Sequence, residues 1–305
     1  MGDAINKRLV IVAGKGGVGR TTVSAAMGLA AAKQGKRVLI AMCHVKEQLS
    51  HMLEVAPIGA SINQVLPRID AVNILPEAAL REYGQLKIKI PLLYRAVFEN
   101  KTVLGFLRAT PGIEAWSMLG KVCYHVHQRE QDHRFKYDLV ILDAPATGHC
   151  LDMLRVPRVI LDLVPSSLLR KDAEAAWELL QDSAQTAAVV VSWPEEMPVN
   201  EAIELQHGLE DELNINVTEV IANGVIKELF QPEERKRLTQ LPQHGIAVPG
   251  KCVVQAAYRR SLRETEQVEL LATLAKASTK PLVSLPRLVN ADLKRAHLEE
   301  LSTYF

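Results

Sequence analysis

Nine residues, Gly14–Thr22, read GKGGVGRTT and bring together four glycines, two cations and two hydroxyls. Glycines at 14, 16, 17 and 19 let backbone N–H groups converge on an anion, because no Cβ blocks the approach and positive φ is tolerated. A helix starting directly afterwards adds its N-terminal dipole. Thr21 has the position whose hydroxyl ligates Mg²⁺ in a phosphate-binding loop. The usual lysine before it is Arg20, which keeps the charge and offers phosphate a planar fork but is bulkier than an ammonium. A second cation, Lys15, sits early in the loop. Gly14, Lys15, Gly16, Gly17, Val18, Gly19, Arg20, Thr21 and Thr22 are therefore read as a cradle for the phosphates of ATP or ADP. The alternative is a glycine-rich turn that merely fits strand to helix; the strand before the loop, the helix after it and Thr21 in register favour the cradle.

A second stretch, YDLVILDAPATGH at Tyr137–His149, ends an apolar run in Asp143 and then turns through Ala144–Gly148. An acidic residue at the C-terminal end of a strand beside the phosphate loop suits the hydration shell of Mg²⁺. Standing alone, the same aspartate would read as a turn or helix-cap residue.

These residues need a frame. Leu9–Ala13 is a short branched run typical of a buried parallel strand, Thr21–Lys33 is an alanine-rich helix, and Lys36–Met42 is a second strand. Strand, glycine loop, helix and strand make a βαβ unit, which crosses over right-handed. Further strands are expected at Ala71–Leu75, Tyr137–Leu142, Ala187–Ser192, Val217–Ala222 and Pro281–Leu285. Helices are expected at Asp172–Asp182, Asn200–Leu213 and Leu262–Ala277, with Arg158–Val164 open between helix and strand. The alternation predicts an α/β fold, doubly wound on a mainly parallel sheet. Residues 77–134 break it with a long helical pattern, so a helical subdomain inserted into a nucleotide-binding domain of residues 1–76 and 135–305 is expected.

Composition narrows the partners. Lys and Arg number 36 against 35 Asp and Glu, a net charge of +1, so no overall field argues for nucleic acid or an anionic membrane surface. The basic groups ERKR (234–237) and YRRSLR (258–263) read as solvated helix faces. Four separated cysteines form neither a disulfide framework nor a CxxC pair. With no apolar leader and no run of membrane-spanning length, a cytoplasmic chain is expected.

Together these motifs resemble the deviant-Walker P-loop ATPases, and within them the ArsA-type family of arsenite-pump and tail-anchored-protein-targeting ATPases. KGGVG is the deviant signature, and the resemblance implies that Lys15 reaches across a dimer interface to the partner's phosphates. Asp143 with PATGH looks like the family's switch II, and TPGIEA (110–115) like a segment of its helical subdomain. WPEEMPVNE (193–201) resembles the stretch in which a glutamate, here Glu195, approaches nucleotide at the dimer interface. VIANGV (220–225) implies an adenine-reading role for Asn223, and VSLPRL (283–288) sets Pro286 against the base.

Three departures accompany the likeness. His44 stands where the family's switch I carries a water-positioning aspartate; an imidazole can accept a proton near neutral pH, yet His44 reads equally as a loop histidine without a catalytic task. Arg20 replaces lysine. The CxxC that clamps zinc between subunits is missing, so no zinc is expected.

The resemblance implies an ATP- or ADP-binding protein with Mg²⁺, a homodimer or a heterodimer with a paralogous ATPase. Its activity is either slow hydrolysis or nucleotide binding alone beside an active paralogue. The helical insert offers either a groove for an apolar client helix or a membrane-associated partner, lined by Leu92, Leu93, Val97, Phe98, Leu104, Phe106 and Leu107, or an ordinary core built from the same residues.

Overall fold

In a computed structural model of the chain, residues 3–43, 46–87, 110, 112–240, 251–288 and 292–305 are described. Eight strands form one sheet. They are β1 (Leu9–Gly14), β2 (Val38–Cys43), β3 (Asn63–Leu66), β4 (Ile69–Ile74), β5 (Leu139–Asp143), β6 (Thr186–Ser192), β7 (Val217–Val225) and β8 (Leu282–Pro286). Their order across the sheet is β3-β4-β2-β5-β1-β6-β7-β8. Every pairing is parallel except the β3–β4 edge, which is antiparallel.

From β1 the chain moves out to β2 and β4, returns to β5, and then crosses to β6, β7 and β8. The winding therefore reverses around β1, and ligands of such sheets settle beyond the carboxyl ends of the strands at that reversal. All residues of β1, β2, β5 and β6 are buried, as the unbroken apolar runs required. The four-residue β3 escaped the sequence because NQVL is short, half polar and lies on an edge, where one side of the ladder faces water.

Helices cover both faces. On one lie α1 (Arg20–Lys33), α2 (Leu49–Leu53) and α10 (Arg295–Leu301), packed on Val10 and Val12. On the other lie α4 (Ile113–His127), α5 (Thr147–Leu163), α6 (Leu168–Gln181) and α7 (Glu196–His207), packed on Leu9, Ile11 and Ala13. The period-two alternation of β1 thus feeds two cores at once. α3 (Pro76–Lys87) packs on α4, while α8 (Pro232–Thr239) and α9 (Lys251–Ala277) close the chain towards β8.

Three local expectations change. Arg158–Leu163 belongs to α5, with Val164 as its extended C-cap; the helix already starts at Thr147 within the expected turn and carries Pro157 inside it. The Asn200–Leu213 pattern divides into α7 and a π-helical turn at Gly208–Glu212. The ERKR group is not wholly solvated: Arg235 is buried and pairs with Glu228 at 2.9 Å. A run of charged residues does not distinguish a wet helix face from one that staples a loop.

Between β4 and β5 the described residues form α3 and α4, followed by turns over residues 128–138 that hold an isolated bridge, Arg129 to Phe135. Met118, the one methionine of residues 77–134, points into the main core. α3, α4 and α6 border a cavity of about 820 Å³ that mixes Tyr83, Trp116 and Tyr124 with Lys121, His125 and Asp172. The apolar residues expected to line a groove, Leu92 to Leu107, lie outside the described residues.

Candidate functional site

The loop after β1 runs through the crevice where the winding reverses. Gly14 lies against β6: a Cβ there would collide with the carbonyl oxygen of Val191. Gly19 caps α1 in the left-handed region, at φ 90°, and a Cβ there would run into the Asn223 amide. That amide donates from Nδ2 to the Val18 carbonyl at 2.8 Å, so β7 fixes the loop's last bend. Val18 itself is buried, whereas Gly16 and Gly17 meet nothing that would obstruct a side chain. The two halves of the loop have different tasks: residues 14, 18 and 19 seat it in the fold, and 16 and 17 leave an open stretch.

Asp143 ends β5 beside Val12 of β1 and Met42 of β2. It is 1% exposed, and its Oδ2 accepts from the Thr21 hydroxyl at 2.6 Å. Burial pushes its carboxyl up to about 6, against the opposing pull of Thr21 and the Arg20 guanidinium. A carboxylate shut away from water with one hydroxyl for company is short of positive charge. The donor set, one hydroxyl and one carboxylate at the first turn of a helix, is all oxygen, which suits Mg²⁺.

Arg20 does not extend over the loop. Its guanidinium donates to the carbonyl of Ala144 at 2.6 Å, so the residue that replaces lysine ties the phosphate loop to the turn after Asp143. Thr22 faces inwards, its hydroxyl 3.7 Å from the sulfur of Met52.

Lys15 forms an ion pair with Glu201 of α7, Nζ to Oε1 at 2.6 Å, and the other oxygen of Glu201 accepts from the Thr147 hydroxyl at 3.3 Å. Glu195, expected near nucleotide, is exposed and stands at the N-cap position of α7 without a side-chain capping bond. Pro286 ends β8 opposite Val225, and Arg287 lies 5.5 Å over the Trp193 ring, which packs against Gly224. His44 lies outside the described residues.

The structure therefore brings Lys15, Arg20, Thr21, Asp143 and Asn223 together at the carboxyl ends of β1, β5 and β7. Sequence reading missed Glu201, Thr147, the Ala144 carbonyl, Trp193 and Arg287. Glu201 and Trp193 bound the WPEEMPVNE stretch and Thr147 lies in PATGH, but nothing in one sequence says which member of a motif faces the loop.

Known proteins match most of the chain. A family model described as Anion-transporting ATPase matches residues 7–171 and 166–242. The chain is 26% identical over 294 residues to ATPase BagA of Mycobacterium tuberculosis, covering 92% of this chain and 86% of that one. It is 29% identical over 175 residues to ATPase GET3 of Kluyveromyces lactis, covering 55% and 48%.

Proposed function

The chain belongs to the ArsA-type family of anion-transporting ATPases, and from that premise we propose that it is a dimeric ATP-binding protein coupling nucleotide state to a change of shape, with slow hydrolysis. One observation carries the reading: Thr21 in the first turn of α1 and Asp143 at the end of β5 meet at 2.6 Å at the foot of the glycine loop.

The phosphates sit on the backbone N–H groups of residues 14–22, and adenine lies near Asn223 and Pro286. Thr21 would hold Mg²⁺, with Asp143 in its outer shell, and the ion would supply positive charge to the phosphate oxygens. The rest falls to the chain's own groups: the loop orients the triphosphate, α1 directs its dipole at it, and Lys15 of one protomer adds charge at the other's nucleotide. The domain division at residues 77–134 gives the nucleotide a helical body to move. A client for that body, an apolar helix or a membrane-associated partner, is the output we assign to it. Its described surface mixes aromatic and charged groups.

A second reading is supported by Arg20. Its engagement with Ala144 leaves the loop without the compact ammonium that ordinarily follows the γ-phosphoryl, which favours nucleotide binding without turnover beside an active paralogue. Calorimetry with Mg-ATP tests what the readings share: heat is expected from the purified chain, and its absence rejects both. Turnover per chain that rises with protein concentration selects the dimeric enzyme, and binding without hydrolysis selects the scaffold.

A further inference from the structure

Lys15 is the one cation of the loop with two incompatible tasks. To lend charge to a neighbouring protomer it must reach outwards, yet here it is folded back onto α7 of its own protomer, 2.6 Å from Glu201. Glu201 is no chance surface acid. Val199, Ala202 and Leu205 anchor its helix in the core, so the carboxylate is presented from a rigid support. Its free oxygen is taken by Thr147, four residues beyond Asp143 and the first residue of α5. One side chain thus joins the loop that would hold phosphates to the turn that carries Asp143.

We propose that Glu201 is a positioning residue: it holds Lys15 within its own protomer, and Thr147 relays movement of the 143–147 turn to it, so that Lys15 is released for a partner's nucleotide only when that turn has engaged its own. This rests on the nucleotide-binding reading above. The two side chains are 30% and 29% exposed, and ion pairs of that kind are weak. The pair therefore biases Lys15 without locking it, and a triphosphate's charge outcompetes a single carboxylate. Bidentate use of Glu201 matters here: with one oxygen on Thr147, the other is aimed at Lys15 without loss of a rotamer at each encounter.

The test follows Lys15 itself. The full chain, free of nucleotide, is treated with a limiting amine-acylating reagent, and modification of Lys15 is timed by mass spectrometry. Glu201→Gln is expected to speed it three- to tenfold, Thr147→Val by a smaller factor, and raising the salt should speed the wild type while leaving Glu201→Gln unchanged. Glu201→Asp, which withdraws the carboxylate by one methylene, should behave as Gln does and serves if Gln fails to fold. Equal rates in wild type and both Glu201 variants, at matched melting temperature, overturn the proposal, and a Thr147→Val rate equal to wild type overturns the relay. Mg-ATP calorimetry on the same samples separates the two ideas: no heat in the wild type sinks the nucleotide reading, while the Lys15 comparison still decides the role of Glu201.

Discussion

Asp143 and Glu264 are both carboxylates withdrawn from water, 1% and 0% exposed, and they sit in opposite states. Burial pushes Glu264 up, but Arg260 at 2.8 Å and the N–H groups of Leu229 and Phe230 at 2.9 and 3.2 Å outweigh it and hold its carboxyl below the ordinary range. Arg235 stands behind them at 3.9 Å. Asp143 has one hydroxyl and a neighbouring guanidinium that is spent on Ala144, so burial wins and its carboxyl rises to about 6. Glu264's charge is consumed within the fold, where it ties the loop after β7 to α9. That of Asp143 is left over. A third buried acid, Glu219 of β7, has no partner at either oxygen among the described residues, and burial pushes it up as well. Only Asp143 combines a charge deficit with a place in the crevice, and that combination distinguishes a site from a staple or a flaw.

The contrast can be broken most severely at Glu264. Replacing it with Ala strands two arginines and two backbone donors, and a loss of about 3–5 kcal/mol in denaturant unfolding is expected. A loss under about 1 kcal/mol would show that the arginines simply turn to solvent, and the staple interpretation would fail.

Asp143→Asn should act in the reverse direction. The carboxyl moves from 3.8 to about 6 on folding. The folded chain then holds its proton more tightly than the unfolded one, so the native carboxyl is favoured below pH 4 and becomes costly as pH rises through 6. At about 1.4 kcal/mol per unit, the variant should be up to about 3 kcal/mol more stable than wild type at pH 8, with the gain fading below pH 4. The same variant should lose Mg-dependent heat with ATP. Unchanged melting across that pH range would show that the carboxylate is already neutralised inside the fold.

Glu219→Leu sharpens the comparison from the other side. Removing a buried acid without partners should raise stability by about 1–3 kcal/mol at pH 8, and less as pH falls towards 4, where the proton already cancels the charge. Nucleotide binding should stay as it was, since β7 meets the loop at Asn223 and not at Glu219.

For the wild type, Mg-ATP affinity should fall roughly tenfold between pH 7 and pH 5, as Asp143 takes up a proton with a midpoint at about 6. The smallest effect belongs to Arg20→Lys, which trades a 2.6 Å contact to Ala144 for a more mobile ammonium. A stability change of about 0.5–1.5 kcal/mol is expected, and faster hydrolysis in the variant would favour the scaffold reading of the native arginine.

Much of the frame was legible because it depends on local pattern. Val38–Cys43 and Thr186–Ser192 are buried on both faces, so their branched runs announced themselves, and Gly14–Thr22 named its chemistry through glycines that only a close approach requires. Less legible was α5: a proline at 157 and a glycine-containing turn hid a helix that tertiary packing on Cys150, Met153 and Leu154 sustains. The partners of charged groups were least legible of all. Glu195 and Glu201 lie in one stretch and are alike as residues, yet the turn of α7 exposes the first and hands the second to Lys15.

Sequence alone determined the glycine loop, the acid that ends the fifth strand and the alternation that winds the sheet, because composition and spacing along the chain already encode backbone freedom and burial. Which cation meets which carboxylate was decided only when β1, β5, β6 and β7 came side by side, since residues 122 to 205 positions apart, such as Thr21 with Asp143 and Val18 with Asn223, become neighbours through packing that no local pattern records.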